Sequence, residues 1–201
     1  AAKDPISGEW FISRGFTLFD SSFIPDDAII IAATYSVYVT PIDKFNQDDD
    51  GFDYFSVVTT GPASSTALST ADYDQVGIIE QHDIGERKDI TPMLTNEYSH
   101  WILNATGIGN ISKIGITKFG LREGHDLINS APDGINSIII TNAEATGTST
   151  DPKLIVTYSL PPPDFIQLEV RKTINEAVIS FAALQADNEL LLGLGANKVY
   201  S

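Results

Sequence analysis

Along most of the chain, apolar residues alternate with polar ones or form short blocks, and turn residues separate these segments. In the stretch 28–40 (AIIIAATYSVYVT), Tyr35, Val37 and Val39 alternate with hydroxyl-bearing neighbours, as in a strand with one covered face. Because proline cannot donate to a sheet ladder, we expect this strand to end at Pro41. Similar patterns predict strands at 10–19, 52–59, 76–80, 98–104, 113–121, 135–142 and 153–159.

This succession of short strands determines the expected fold class. Short helical turns are predicted only at 70–75 and 89–94, and no helical crossover separates the strands. An antiparallel sandwich hides the edges of such strands by closing two sheets face to face. The sequence therefore predicts an all-β, antiparallel jelly-roll β-sandwich over residues 1–160, followed by a C-terminal α-helix.

The pattern changes at three consecutive prolines, residues 161–163, which we interpret as a linker. From Asp164, a favourable N-cap, to about Leu192 there is no proline or glycine, and Gly193 then ends the segment. Steps of three and four between apolar residues predict a helix there, so residues 164–201 are expected to serve oligomerisation or docking. The predicted heptad seam consists of Val170, Ile174, Ala177, Phe181, Leu184, Asn188 and Leu191.

Asn188 is the one polar residue of this seam, and a single buried asparagine can fix the register and number of helices in a coiled coil. Ile166, Val178 and Ile179 widen the apolar stripe beyond a narrow seam. Three alternatives therefore remain for the helix: a homo-oligomeric coil, docking on another protein, or packing on its own domain.

Charge and composition exclude several classes of function. The chain has 201 residues, with 12 basic and 27 acidic side chains and a formal net charge of −15. Such a charge repels nucleic acid and anionic lipid, and no apolar stretch is long enough to span a membrane. The absence of cysteine excludes disulfides and thiolate metal sites. We therefore expect neither nucleic acid nor membrane as a partner.

Three segments in order resemble the DNRLRE family: residues 14–28 (RGFTLFDSSFIPDDA) with 33–38 (ATYSVY), then 119–123 (FGLRE), then 151–158 (DPKLIVTY). The resemblance implies a non-catalytic jelly roll of the kind found in bacterial surface proteins, carbohydrate-binding modules and phage structural proteins. It also marks Arg122 and Glu123 as a structural ion pair or a cap on backbone amides. Family members usually have one or two strands before the first of these segments, so the domain is expected to lack its first strands or to leave an edge open.

Candidates for site chemistry are few. The acidic turn with Asp48, Asp50 and Asp53 offers oxygen ligands for calcium, but it lacks the spacing and distal glutamate of an EF-hand and is better explained as a solvated turn. We therefore predict no cofactor, with calcium as the alternative.

His82 with Asp83 and Glu86, and His125 with Asp126, could in principle form metal or acid–base sites, although solvated loops and strand-end bracing explain them better. The candidate glycan platforms are Tyr54, Tyr73 and Tyr98, alongside Trp10 and Trp101.

Three hypotheses for function follow. The first is a non-catalytic structural or adhesion subunit of an extracellular or virion assembly, such as a phage fibre, tail or decoration component, located outside the cell, on its surface or in the virion. The alternative is a carbohydrate-binding module of a secreted or cell-surface protein, with a glycan as partner. The third is a polysaccharide-degrading enzyme, which needs two carboxylates held across a groove. No carboxylate pair stands out in the sequence, so we predict that the chain is not an enzyme.

Overall fold

The computed structural model of the chain describes residues 1–4, 6–143, 146–161, 182–184 and 190–192. The chain divides into two compact units, Ala1–Ser159 and Leu160–Ser201. Among the described residues, no helix has both the length and the apolar character that crossing a membrane requires.

The first unit consists mainly of strands. Its two α-helices within the described residues are short, α1 (Ala105–Gly109) and α2 (Gly124–Ile128), and 3₁₀ turns occupy Thr70–Gln75 and Ile84–Glu86. The strands are β1 (Ala2–Lys3), β2 (Trp10–Phe11), β3 (Gly15–Asp20), β4 (Ile29–Asn46), β5 (Tyr54–Thr60), β6 (Val76–Glu80), β7 (Lys88–Asp89), β8 (Glu97–Ile102), β9 (Ile116–Glu123), β10 (Asn136–Ile140) and β11 (Lys153–Ser159).

The first sheet is built around the long strand β4. One side of β4 pairs with β8, whereas the other side pairs with β11 along its first half and with β10 along its second half, all antiparallel. Thr34 illustrates the arrangement, since it lies between Ile102 of β8 and Ile155 of β11. β10 and β11 therefore follow one another along the same edge of β4.

The second sheet has the order β3-β9-β5, and β6 and β7 both pair with the free side of β5. All of these pairings are antiparallel. β1 and β2 form a separate two-stranded hairpin. This hairpin precedes β3, where the sequence comparison with the DNRLRE family led us to expect missing strands or an open edge.

The core lies between the two sheets. The buried ring of Tyr35 on β4 makes edge-on contacts with Phe19, Trp101 and Phe119, and the two phenylalanines belong to the opposite sheet. The indole N–H of the fully buried Trp101 donates to the carbonyl of Phe55 across the core at 3.2 Å. Burial of each such ring contributes roughly 1.5–3 kcal/mol. The predicted all-β antiparallel sandwich is thus confirmed.

Two strand predictions were wrong in detail. The strand that was expected to end at Pro41 continues to Asn46. The register between β4 and β10 shifts between the pairs Val39–Ile140 and Lys44–Ile138, so the proline lies in an irregular stretch where a ladder donor is not required. The strand predicted at 10–19 is divided into β2 and β3, and β3 alone enters a core sheet.

In the second unit, the described residues form two short strands, β12 (Ala182–Leu184) and β13 (Leu190–Leu192), paired antiparallel. Leu184 pairs with Leu190, and Leu191 with Ala183. The helix predicted through these positions is therefore not confirmed. Short leucine-rich runs satisfy the spacing of a strand as well as that of a helix, which explains the ambiguity. The other seam residues lie outside the described residues: Val170, Ile174, Ala177, Phe181 and Asn188.

Candidate cation site and interaction surfaces

The short helix α2 directly follows β9 and positions the most unusual cluster of side chains in the fold. Glu123, the last residue of β9, caps the helix by accepting the backbone N–H of His125 at 3.1 Å. Gly124 is the first residue of the helix, and only glycine fits there without displacing a neighbour, because a Cβ atom would lie 2.1 Å from the carbonyl oxygen of Phe52. The missing side chain lets the loop between β4 and β5 pack directly against the helix.

That loop turns sharply after β4. Asp49 and Gly51 adopt positive φ angles of 43° and 93°, a conformation that aspartate and glycine tolerate better than most residues. The buried Asp53 accepts hydrogen bonds from the amide N–H of Gly51 at 3.1 Å and from the side chain of Asn46. Asp53 therefore braces the loop from within and does not join Asp48 and Asp50.

The loop brings Asp48 and Asp50 to the imidazole ring of His125. The Nε2 atom of His125 lies 3.2 Å from Oδ2 of Asp50 and 3.4 Å from Oδ2 of Asp48. All three ligand-type atoms lie within 4.8 Å of one another. Two residues suggested as calcium ligands thus converge with a histidine 75 positions away.

The other ring nitrogen of His125 is held by Glu123. Nδ1 lies 2.7 Å from Oε1 of the Glu123 carboxylate, and an ionised carboxylate only accepts, so Nδ1 carries the hydrogen. Burial lowers the pKa of His125, but the hydrogen bond and charge of Glu123 and the contact with Asp50 outweigh it and raise the pKa above its ordinary value. The ring therefore presents Nε2 to Asp48 and Asp50.

Each aspartate is itself fixed by hydrogen bonds. Oδ1 of Asp48 accepts the side-chain amide of the buried Asn136 at 2.6 Å, and its Oδ2 accepts the N–H of Asp133 at 3.0 Å. Oδ1 of Asp50 accepts the N–H of Phe52 at 2.9 Å, which lowers the pKa of Asp50. The side chains of His125 and Asp48 are 1% and 5% exposed, whereas that of Asp50 is 46% exposed. The cluster therefore opens to solvent on the Asp50 side.

A second charged cluster occupies the opposite face of β9. Asp126 receives two hydrogen bonds from the Arg14 guanidinium, at 2.8 and 2.9 Å, and two more from Arg122, at 2.6 and 2.7 Å. Burial raises the pKa of Asp126, but the two arginines outweigh it and lower the pKa below its ordinary value. Arg122 thus pairs with Asp126 rather than with Glu123, since adjacent strand residues point to opposite faces.

The remaining acid–base candidate is also tied into the fold. His82 is buried, its Nε2 accepts the N–H of Val57 at 3.2 Å, and its Nδ1 donates to the carbonyl of Asp83 at 2.8 Å. Burial lowers the pKa of His82 and favours the neutral ring. Glu86 pairs with Lys88 at 3.1 Å. His82 and Glu86 thus each have a structural partner.

The candidate glycan-binding tyrosines lie in different environments. Tyr54 is buried and its ring is covered by the guanidinium of Arg87, 4.3 Å from the ring centroid. Tyr98 carries the ammonium of Lys153 over its ring at 3.9 Å. Tyr73 is the most accessible of the three and lines an open groove of about 520 Å³ together with Phe16, Leu68, Ser69 and Thr70. The guanidinium of Arg14 covers one face of its ring, 4.2 Å from the centroid.

The outer face of the first sheet carries exposed isoleucines. Ile102 and Ile155 flank Thr34 on either side of β4 and are 59% and 57% exposed. Ile29 and Ile31, at the start of β4, are 61% and 60% exposed. We call these four isoleucines the isoleucine face.

Comparison with models of known protein families, with curated proteins and with solved structures finds no match for this chain.

Sequence reasoning considered Asp48 and Asp50 apart from His125, and it did not identify Asn136 as a partner. The acidic turn gives no indication that α2 lies against it. One residue could have indicated this contact. Gly124 lies between a carboxylate and a histidine, and a glycine at such a position can mark the close approach of another backbone segment.

Proposed function

We propose that this chain is a non-catalytic structural or adhesion subunit of an extracellular or virion assembly, built on a jelly-roll sandwich and multimerised or anchored through its C-terminal segment. The resemblance to the DNRLRE family at residues 14–28, 33–38, 119–123 and 151–158 supports this choice of class. The observation that carries it is the isoleucine face.

The chain has a net charge of −15, and an exposed apolar face on such an acidic protein is a candidate site for binding a partner. Isolated exposed apolar side chains are common on protein surfaces, but large contiguous groups of them mark interaction sites. Ile102 and Ile155 belong to the strands on either side of β4, and Ile29 and Ile31 lie at the start of β4 itself. Association that covers this face removes apolar surface from water.

The charged residues also favour a structural role over catalysis. The carboxylate of Asp126 is saturated by Arg14 and Arg122, and His82 is held by backbone partners on both ring nitrogens. A general acid or base must be free to exchange its proton with a substrate. These groups instead hold loops and strands together.

The proposal is tested by measuring the mass of the full chain in solution across a range of concentrations. We expect an oligomer, and we expect the double variant Ile102→Lys/Ile155→Lys to reduce its size or weaken its association. The matched control is Ile114→Lys, which changes an exposed isoleucine outside the sheets. A monomer for the intact chain, and again after deletion of residues 161–201, would contradict the proposal.

The alternative function, a carbohydrate-binding module, is favoured by the groove beside Tyr73. Arg14 covers one face of the Tyr73 ring, and the other face can stack on the C–H face of a sugar. We expect Tyr73→Ala to abolish binding on a glycan array if this function is present. Tyr158→Ala is the matched control, because Tyr158 and Tyr73 are equally exposed at 39%. Equal binding by both variants would rule out a role for this groove.

A further inference from the structure

We propose that Asp48, Asp50 and His125 form a binding site for a divalent transition-metal cation of the Zn²⁺ class. The site joins the loop between β4 and β5 to the start of α2. It goes beyond the proposed assembly function and does not depend on it.

The first argument is the set of donor atoms. One imidazole nitrogen and two carboxylate oxygens lie within 4.8 Å of one another. Three protein ligands of this kind with one position left for water match the preference of Zn²⁺ for four-coordinate nitrogen and oxygen sites. Calcium prefers oxygen ligands in larger number, so the histidine favours a transition metal over the calcium suggested by the acidic turn alone.

The second argument is the orientation of the histidine, whose side chain is only 1% exposed. Since Nδ1 donates to Glu123, Nε2 is the ring atom that faces the two carboxylates, and a bound cation can take the place of a proton on this nitrogen. In metal-binding histidines, the ring nitrogen that does not bind the metal usually donates its N–H to a carboxylate, a backbone carbonyl or water. Nδ1 of His125 makes such a contact with Glu123. The geometry thus supplies both the ligand and its outer partner.

The third argument is that the ligands are held in place while access remains. Asn136 and the Asp133 amide fix Asp48, and the Phe52 amide fixes Asp50. Asp50 is nevertheless half exposed, so the cation can enter from solvent without opening the sandwich. The chain has no cysteine and therefore no disulfide. A cation bound by these three side chains would connect the loop between β4 and β5 to α2 and stabilise the fold.

The test is calorimetric titration of the full, tag-free chain with ZnCl₂, and with CaCl₂ in a parallel experiment. We expect Zn²⁺ to bind, to raise the melting temperature, and to bind more tightly than Ca²⁺. Co²⁺ substitution then gives the visible absorption of a four-coordinate site. Absence of Zn²⁺ binding, or tighter binding of Ca²⁺, would overturn the assignment.

The decisive variants are Asp50→Asn and Asp49→Asn. Both remove one negative charge from the same loop, and asparagine tolerates the positive φ angle of Asp49 as aspartate does. In the Asp50→Asn variant the side-chain amide oxygen can still accept the Phe52 N–H, so the loop is retained and circular dichroism checks this. We expect at least a roughly tenfold loss of Zn²⁺ affinity for Asp50→Asn and no change for Asp49→Asn. Equal affinities in the two variants would overturn the site.

Discussion

His125 and Asp126 are consecutive residues of α2, yet they stand at the centre of two charged clusters with opposite balances. Asp126 is one carboxylate held by two arginines, Arg14 and Arg122. His125 is one imidazole facing the carboxylates of Asp48, Asp50 and Glu123. In the first cluster two arginines neutralise one carboxylate. In the second, three carboxylates face one imidazole and the amino group of Ala1, which lies 3.6 Å from Glu123.

The two clusters differ in how completely their carboxylates are neutralised, which is what distinguishes a structural cluster from a ligand site. In the Asp126 cluster both carboxylate oxygens receive charged donors, and the guanidinium of Arg122 also donates to the carbonyls of Gly77 and Asp126. In the His125 cluster the donors available to the carboxylates are mainly neutral amides, and one carboxylate is open to solvent. Internal saturation indicates a brace, and unbalanced charge near the surface indicates a place for a cation.

The largest effect is expected from removing the charge of Asp126. Asp126→Asn keeps the shape of the side chain but leaves the guanidinium groups of Arg14 and Arg122 without their counter-charge, and Arg122 is buried. Breaking a buried ion pair in this way costs about 3–5 kcal/mol. We expect a loss of that size in the free energy of unfolding, measured by urea denaturation.

Asp74→Asn is the control for this variant. Asp74 also lies near Arg14, at 3.9 Å, but its side chain is 89% exposed. We expect the free energy of unfolding to change by less than about 0.5 kcal/mol. Similar losses for the two variants would show that Asp126 is not a brace.

The sheet strands could be predicted because alternation and turn residues are local signals. The boundaries of β6 and β11 coincide with the predicted segments, as does the 3₁₀ turn Thr70–Gln75. Pro41 misled the prediction, since whether a strand passes a proline depends on the register of its partner, here β10. The residues around the proline do not determine that register.

The candidate site could be predicted only in parts. The sequence offered Asp48 and Asp50 as possible calcium ligands and His125 with Asp126 as a separate possible metal or acid–base site, because sequence spacing carries information within a loop or helix but not between them. Their meeting depends on the close packing of Phe52 against Gly124. Leu191 shows a different difficulty, as the short leucine run Leu190–Leu192 is compatible with helix and with strand.

An intermediate effect is expected from Gly124→Ala, which affects the His125 cluster through packing instead of charge. The added methyl group would meet the Phe52 carbonyl at 2.1 Å, and backbone cannot give way as a flexible side chain can. Overpacking of this kind costs about 1–3 kcal/mol. We expect that loss in the free energy of unfolding, together with weaker Zn²⁺ binding by calorimetry.

The matched control is Gly109→Ala in α1. A Cβ atom at Gly109 meets nothing within 4 Å, and alanine favours helix over glycine. We expect the Zn²⁺ affinity of this variant to stay unchanged. Its free energy of unfolding should stay unchanged or rise slightly. If Gly124→Ala behaved in the same way, the loop would not depend on close contact with α2.

The smallest effect is expected from Glu80→Gln, which tests whether the exposure of an ion pair decides how much its loss destabilises the fold, and which leaves Arg87 over the Tyr54 ring. Arg87 makes a two-point contact with Glu80, at 2.7 and 2.8 Å, the same kind of geometry as Arg14 makes with Asp126. The side chains of Arg87 and Glu80 are 32% and 17% exposed, however, so water compensates for much of a lost contact. We expect a loss of at most about 1 kcal/mol in the free energy of unfolding. A loss as large as that of Asp126→Asn would mean that paired geometry, and not burial, sets the strength of these clusters.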